Sequence, residues 1–146
     1  MPQPKIAFVI LFLVGALLLN TAARAEQKQS FGEYDVHYII VPTMTLKPEI
    51  AEKYGLLRAR NRSLVNISIL NALGQPTSAA VTGISTNLLG QDQTLVFSEV
   101  TEGEAIYYLA LLRHANEEYH RVAIDIVLAN GDLAELRFSQ QMYWEE

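Results

Sequence analysis

Three arginines spaced two residues apart are the most distinctive polar feature of the sequence. Arg58, Arg60 and Arg62 would project from one face if their segment forms a strand, because alternate side chains of a strand point to the same side. Adjacent guanidinium groups repel each other, so they require carboxylates of the same chain, a carboxylate ligand or an anionic partner. Pairing with the many Asp and Glu residues of this acidic chain is the simpler interpretation, and a candidate interaction face formed by the three residues is the alternative.

Two histidines lie close together in sequence. His114 and His120 flank a short polar segment that could form a hairpin and bring the two rings side by side. Together with a carboxylate from Glu117 or Glu118 they could hold zinc or copper. Two ligands without a fixed third do not make a site, so we predict no metal and expect both rings to be exposed beside a loop. His37 is interpreted as a partly exposed strand residue.

The sequence offers no catalytic or cofactor-binding constellation. It contains no cysteine, which excludes thiol catalysis, disulfides and Cys-ligated metals. It has no Gly-x-Ser-x-Gly motif and no glycine-rich phosphate loop, and we interpret Glu99, Glu102 and Glu104 as a solvated acidic loop. A net charge of −5 argues against a nucleic-acid partner. We therefore predict a protein that is not an enzyme and that carries no cofactor.

Residues 1–25 are predicted to be a secretory signal peptide. Lys5 precedes an uncharged apolar stretch at residues 6–19, and Ala23 and Ala25 fit the small-x-small cleavage pattern. As a helix this stretch would span about 21 Å, which is shorter than a bilayer core of about 30 Å. We expect cleavage after Ala25, with an uncleaved anchor as the alternative. Residues 26–146 then form one periplasmic domain that has no membrane attachment.

The remaining chain predicts an all-β fold. Alternating apolar and polar residues, separated by turn signals such as Asn130-Gly131, indicate strands. We place them at residues 31–41, 56–71, 77–84, 94–100, 105–113, 122–128 and 133–144, with a loop at 85–93. One short helix is predicted at residues 47–54, where Pro48 suits its first turn and Gly55 its end. The apolar run at residues 105–113 is typical of a central strand covered on both faces.

Strand number and spacing favour a sandwich of two packed sheets. Seven to eight short strands at intervals of about 8–12 residues are typical of this architecture. The residues from Glu104 to Leu109 are similar to the tyrosine corner of immunoglobulin-like domains, with Leu109 where a cysteine often lies. We therefore predict an immunoglobulin-like β-sandwich with one short inserted helix. Met142, Tyr143 and Trp144 are expected to close one end of the core, with an exposed partner contact as the alternative.

An ordered set of motifs along the mature chain carries a family resemblance. These are FGEYDVHY at residues 31–38, PEIAEKYG at 48–55, RARNRSLVNISI at 58–69, NLLGQ at 87–91, AIYY at 105–108 and FSQQMY at 138–143. Together they resemble the bacterial exported family described as domain of unknown function 4426. The resemblance implies a small exported β-sandwich and transfers no catalytic residues.

Two functional hypotheses remain open. The first is a non-catalytic interaction or accessory module that contacts another envelope protein through the arginine face or a sheet edge. The second is a small-ligand or metal-binding periplasmic protein centred on the arginines or on His114 and His120.

Overall fold

The computed structural model describes residues 27–145, so the predicted signal peptide lies outside the described residues. Within this range the chain forms nine strands, one turn of 3-10 helix at Thr43–Thr45 and one short α-helix, α1, at Pro48–Lys53. The strands are β1 Gln27–Phe31, β2 Tyr34–Pro42, β3 Arg62–Leu70, β4 Ala80–Asn87, β5 Asp92–Leu95, β6 Ser98–Glu102, β7 Ala105–Arg113, β8 Glu118–Val127 and β9 Leu133–Met142. No helix in residues 27–145 is long and apolar enough to cross a membrane.

The strands form two antiparallel sheets packed face to face. The first sheet has the order β1-β2-β3-β7-β6 and the second the order β5-β4-β8-β9. Without β1, these orders correspond to the A-B-E-D and C′-C-F-G sheets of immunoglobulin-type domains. The predicted immunoglobulin-like β-sandwich with one short helix is therefore confirmed.

The strand count and several boundaries differ from the prediction. Residues 27–30, which precede the first predicted strand, begin β1, which pairs with β2 across a turn where Gly32 has φ +59°. The predicted loop at 85–93 instead contains the end of β4, a turn and the start of β5. The predicted strand at 94–100 is broken at Val96 and Phe97, where the chain crosses from the second sheet to the first.

The tyrosine-corner interpretation is wrong, although the topology that it favoured is correct. A tyrosine corner belongs to the F strand, which corresponds to β8, whereas Tyr107 and Tyr108 both lie in β7, the E strand. The Tyr108 hydroxyl accepts a hydrogen bond from the Ala79 backbone N–H at 2.8 Å and donates one to Glu99 at 2.8 Å. Tyr108 therefore links the first sheet to the segment that leads into β4.

The apolar residues form two clusters, and β7 contributes to both. Tyr108 and Leu112 point into the main core between the sheets. Tyr107 and Leu109 point to the outer face of the first sheet, where they pack in a second cluster with Ala51 of α1. The prediction that β7 is covered on both faces is confirmed, because α1 and its flanking segments cover its outer side.

The ends of α1 agree with the sequence signals. Pro48 occupies the first helical position, and Gly55 follows the helix with φ +65°. Backbone bonds from Gly55 N–H to the Glu52 carbonyl and from Leu56 N–H to the Ala51 carbonyl, at 3.1 and 2.8 Å, form a Schellman motif. This termination directs the chain back across the first sheet toward β3.

Candidate functional site: a polar cleft at the loop end

One end of the sandwich collects most of the buried polar side chains. We call it the loop end; β3, β5 and β8 begin there, and β4, β7 and β9 finish there. It contains a cleft of about 300 Å³, which we call the polar cleft. The residues that line the polar cleft are Asn61, Asn87, Gln91, Asp92, Gln93, Arg113, His114, Glu118 and His120.

Three hydrogen-bonded side chains lie on the second-sheet side of the polar cleft, two of them buried and the third, Glu118, partly exposed. The Ser85 hydroxyl is 2.7 Å from His120 Nδ1, and His120 Nε2 is 2.5 Å from a Glu118 oxygen. Ser85 is fully buried and His120 is only 3% exposed. The order of the three groups is that of a hydrolase triad, but a fully buried serine hydroxyl gives no access to a substrate. The contacts give the Ser85 hydroxyl and both His120 ring nitrogens hydrogen-bond partners inside the fold.

A second serine–histidine contact lies on the first-sheet side. The Ser63 hydroxyl is 2.8 Å from His114 Nε2, and His114 Nδ1 is 2.9 Å from the Ala115 carbonyl. Since a carbonyl only accepts, Nδ1 donates to it, and in the neutral ring Nε2 accepts the Ser63 hydroxyl proton. The His114 backbone N–H also donates to the Asn61 carbonyl at 3.0 Å. These contacts fix the ring inside the loop end.

The expectation that His114 and His120 are exposed is wrong, because the two residues are 6% and 3% exposed. The hairpin does bring both rings to one cleft, as the sequence suggested. All four ring nitrogens, however, have hydrogen-bond partners within the chain. Among residues 27–145, no three His, Asp or Glu side chains are arranged to hold a metal ion. A metal ion in the polar cleft would therefore have to displace existing hydrogen bonds.

The Glu118 carboxylate is held in its charged form at the rim of the polar cleft. Burial acts to raise its pKa, but hydrogen bonds from His120 and the Ala115 N–H, with the charge of His120, outweigh burial and lower the pKa. Glu118 is thus a fixed negative charge above the buried histidine.

Two amide side chains fix the walls of the polar cleft. Asn87 accepts hydrogen bonds from the Leu89 and Gln91 N–H groups, at 3.1 and 2.9 Å, and so orders the β4–β5 turn. Gln93 pairs with the Arg113 backbone through both of its amide groups, at 2.8 and 2.9 Å, and so joins β5 of one sheet to β7 of the other. The cleft is therefore already formed without a ligand.

The three arginines do not share a strand face. Only Arg62 lies in β3; Arg58 and Arg60 belong to the irregular segment between α1 and β3, so the predicted strand begins too early. Arg58 donates to the Met44 carbonyl at 3.2 Å. None of the three forms an ion pair with a carboxylate of residues 27–145, so the simpler interpretation, pairing with the chain's own acids, is wrong for these residues. Their role as an interaction face stays a prediction.

Arg60 and the C-terminal tryptophan form one unit at the loop end. The Arg60 guanidinium lies over the Trp144 ring, 4.5 Å from its centroid. The Trp144 indole N–H donates to the His114 carbonyl at 3.2 Å, and its backbone N–H donates to the Asn116 side chain at 3.0 Å. Met142 is fully buried, whereas Trp144 is 36% exposed. The C-terminal cluster thus both closes the core and presents an aromatic surface.

Fold and site together define an immunoglobulin-like β-sandwich with a preformed polar cleft between its sheets. The sequence profile of the family called Domain of unknown function (DUF4426) matches residues 28–145, and the chain belongs to this family. A crystal structure of a DUF4426 family protein from Pseudomonas aeruginosa PAO1 is similar, with 31% identity and a TM-score of 0.76. The match covers 83% of this chain and 97% of that chain.

More distant structures share the fold alone. FetP from uropathogenic Escherichia coli strain F11 has 11% identity and a TM-score of 0.57, over 84% of this chain and 97% of FetP. A copper-bound variant of FetP has 11% identity and a TM-score of 0.56, over 84% and 93% of the two chains. Comparison with curated protein sequences gives no match.

Proposed function

We propose that the protein is a non-catalytic accessory protein of the bacterial periplasm that binds a partner protein through its loop end. The observation that carries this proposal is the stack of Arg60 on Trp144. Arginine and tryptophan are among the residues that contribute most to protein interfaces. Since the ring is already ordered by its bonds to the polar cleft, little side-chain entropy is lost when a partner packs on it.

A second exposed apolar feature lies at the same end. Leu88 and Leu89, at the tip of the β4–β5 turn, are 72% and 84% exposed, although Asn87 holds the turn in a fixed shape. Adjacent exposed leucines on an ordered turn suit a protein partner better than solvent. The predicted signal peptide supports a periplasmic location, as does the fold shared with FetP, which was expressed in the periplasm.

Site-specific photo-crosslinking in the native host tests the proposal. A photoreactive residue at position 60 or 89 is expected to capture one specific envelope protein, and the same residue at position 33, in the β1–β2 turn, is not. With the captured protein purified, Arg60→Ala and Trp144→Ala should each weaken its binding about tenfold or more. The matched control is Lys28→Ala, which removes an exposed cation from β1. Equal binding by all three variants would contradict the proposal.

Copper or zinc binding is a second candidate function. It is supported by the two imidazoles and Glu118 in one cleft, together with the shared fold of copper-bound FetP. Binding would require His114 and His120 to exchange their serine contacts for the metal. Titration of the metal-free protein with Cu(II) or Zn(II) should then raise its melting temperature, and His120→Ala should abolish the rise. No rise in the wild-type protein would remove this candidate.

A further inference from the structure

Strand β9 is an unusually long and regular sheet edge. It pairs with β8 over ten consecutive residue pairs, from Leu133 to Met142, and has no strand on its other side among residues 27–145. It contains no proline, and its register has no bulge. The other edge strands, β1, β5 and β6, have five, four and five residues. Proteins usually shorten or interrupt such edges, because a long edge pairs with another strand.

The hydrogen-bond pattern shows which backbone groups of β9 face away from β8. The β8–β9 hairpin closes with a bond from the Leu128 N–H to the Asp132 carbonyl, at 2.9 Å. Because hydrogen-bonded and non-bonded pairs alternate in an antiparallel ladder, the even-numbered residues of β9 bond to β8. The backbone groups directed outward belong to the odd-numbered residues, whose side chains are all exposed: Leu133, Glu135, Arg137, Ser139 and Gln141.

The two charges of β9 select one way of pairing it with a copy of itself. Glu135 and Arg137 are its only charged residues and lie on the same exposed face. A two-fold antiparallel pairing centred on Glu135 places two glutamates opposite each other, and one centred on Arg137 places two arginines opposite each other. Centring on Leu136 instead places each Glu135 opposite the other copy's Arg137. Opposite charges at facing positions stabilise a pair of strands, and like charges destabilise it.

We propose that the protein forms a symmetric dimer through antiparallel pairing of β9 with β9 of a second copy, centred on Leu136. The two four-stranded sheets then become one continuous sheet across the dimer. The outward backbone groups of the overlapping residues form about eight new hydrogen bonds. Two symmetric Glu135–Arg137 contacts fix the register.

Two further observations favour β9 over the other edges as the pairing strand. The edge is held in place, because Phe138 packs on Tyr38 of β2 with ring centroids 4.6 Å apart. Strand β6 is a less suitable edge, since Glu99 and Glu102 bring acidic charge to its five residues. The dimer surface at Leu136 lies in the middle of β9, away from the Arg60–Trp144 stack, so it is independent of the proposed partner surface.

Sedimentation velocity of the mature protein over a wide concentration range tests the dimer. Glu135→Arg and Arg137→Glu each place like charges at both facing positions, so each should weaken self-association about tenfold or more. An equimolar mixture of the two variants restores both opposite-charge contacts and should dimerise like the wild type. Thermal melts identify any loss of folding, which is a concern for Arg137→Glu because Arg137 pairs with Asp125 at 2.8 Å.

Ser139→Pro supplies a test that does not depend on charge. The Ser139 N–H is directed outward, so proline there removes no bond to β8 but blocks pairing with a second copy. The variant should remain folded and become monomeric. A wild-type protein that is monomeric at every concentration would overturn the proposal, and so would a dimer that persists in Ser139→Pro or Glu135→Arg. Failure of the mixed variants to dimerise would overturn the register.

Discussion

The buried contact between Ser85 and His120 gives a quantitative prediction for the polar cleft. Ser85→Ala removes the hydroxyl that lies 2.7 Å from His120 Nδ1 and leaves this nitrogen without its partner. Both residues are almost fully buried, and Glu118 holds the other ring nitrogen, so the ring cannot turn toward water. A buried polar group that loses its partner costs about 1–3 kcal/mol. We expect Ser85→Ala to lower the free energy of unfolding by this amount.

Urea unfolding, followed by the fluorescence of the single tryptophan, measures the loss. The midpoint should fall while the slope with denaturant stays the same, because the surface exposed on unfolding hardly changes. Each 1 kcal/mol should lower the melting temperature by roughly 4 °C for a domain of this size. Ser63→Ala is the matched variant on the other sheet, since it removes the hydroxyl 2.8 Å from His114 Nε2.

A double-mutant cycle separates the hydrogen bond from local packing. The double variant His120→Phe/Ser85→Ala should lose about 1 kcal/mol less free energy of unfolding than the two single losses added together. The reason is that the double variant leaves neither partner of the hydrogen bond unsatisfied. A Ser85→Ala protein as stable as the wild type would refute the reasoning, as would strict additivity. In either case His120 would not depend on the serine for its position.

Three further predictions concern other parts of the fold. Tyr108→Phe leaves the Ala79 N–H without its acceptor and should cost about 1–2 kcal/mol in urea unfolding. Gly83→Ala would place a methyl group 3.3 Å from the Ala123 carbonyl and closer still to two side chains. We expect the free energy of unfolding to fall by about 1–3 kcal/mol. An unchanged urea midpoint would mean that β4 shifts to accommodate the methyl group. The folded-state pKa of Glu118 lies below its usual value of 4.5. The stability that the ionised carboxylate contributes is therefore complete above pH 4.5 and is lost as the pH falls. Glu118→Gln should flatten this decrease in stability on the acid side, as measured by urea unfolding.

Local signals in the sequence determined the elements that were predicted correctly. Asn130-Gly131 gave the β8–β9 hairpin, in which Gly131 has φ +89°. Pro48 and Gly55 gave the two ends of α1. The crossing from β5 to β6 was missed because alternation of apolar and polar residues is the same in either sheet. Only tertiary packing decides that the chain changes sheets at Val96 and Phe97.

The candidate site was harder to predict than the fold. The spacing of Arg58, Arg60 and Arg62 suggested one face, but the turn after α1 occupies the segment that would have formed the start of the strand. Ser63 carried a usable signal, because it continues the inward alternation of β3 and a polar residue at a core position requires a partner. Its partner, His114, is 51 residues away in sequence, and no local pattern connects the two.

The serine–histidine contacts connect stability to both candidate functions. If they stabilise the fold as proposed, a metal ion that takes His114 and His120 must compensate for two buried hydrogen bonds, which are worth about 1 kcal/mol each. Binding and local rearrangement would then be coupled, and loss of the serines would strengthen metal affinity while it weakened the fold. A partner that packs on Trp144 needs no such exchange, because the indole already donates to the His114 carbonyl from outside the cleft. The serine variants therefore separate the two functions: Ser85→Ala should raise metal affinity if the histidines are ligands, and should leave partner binding unchanged if the loop end is the interface.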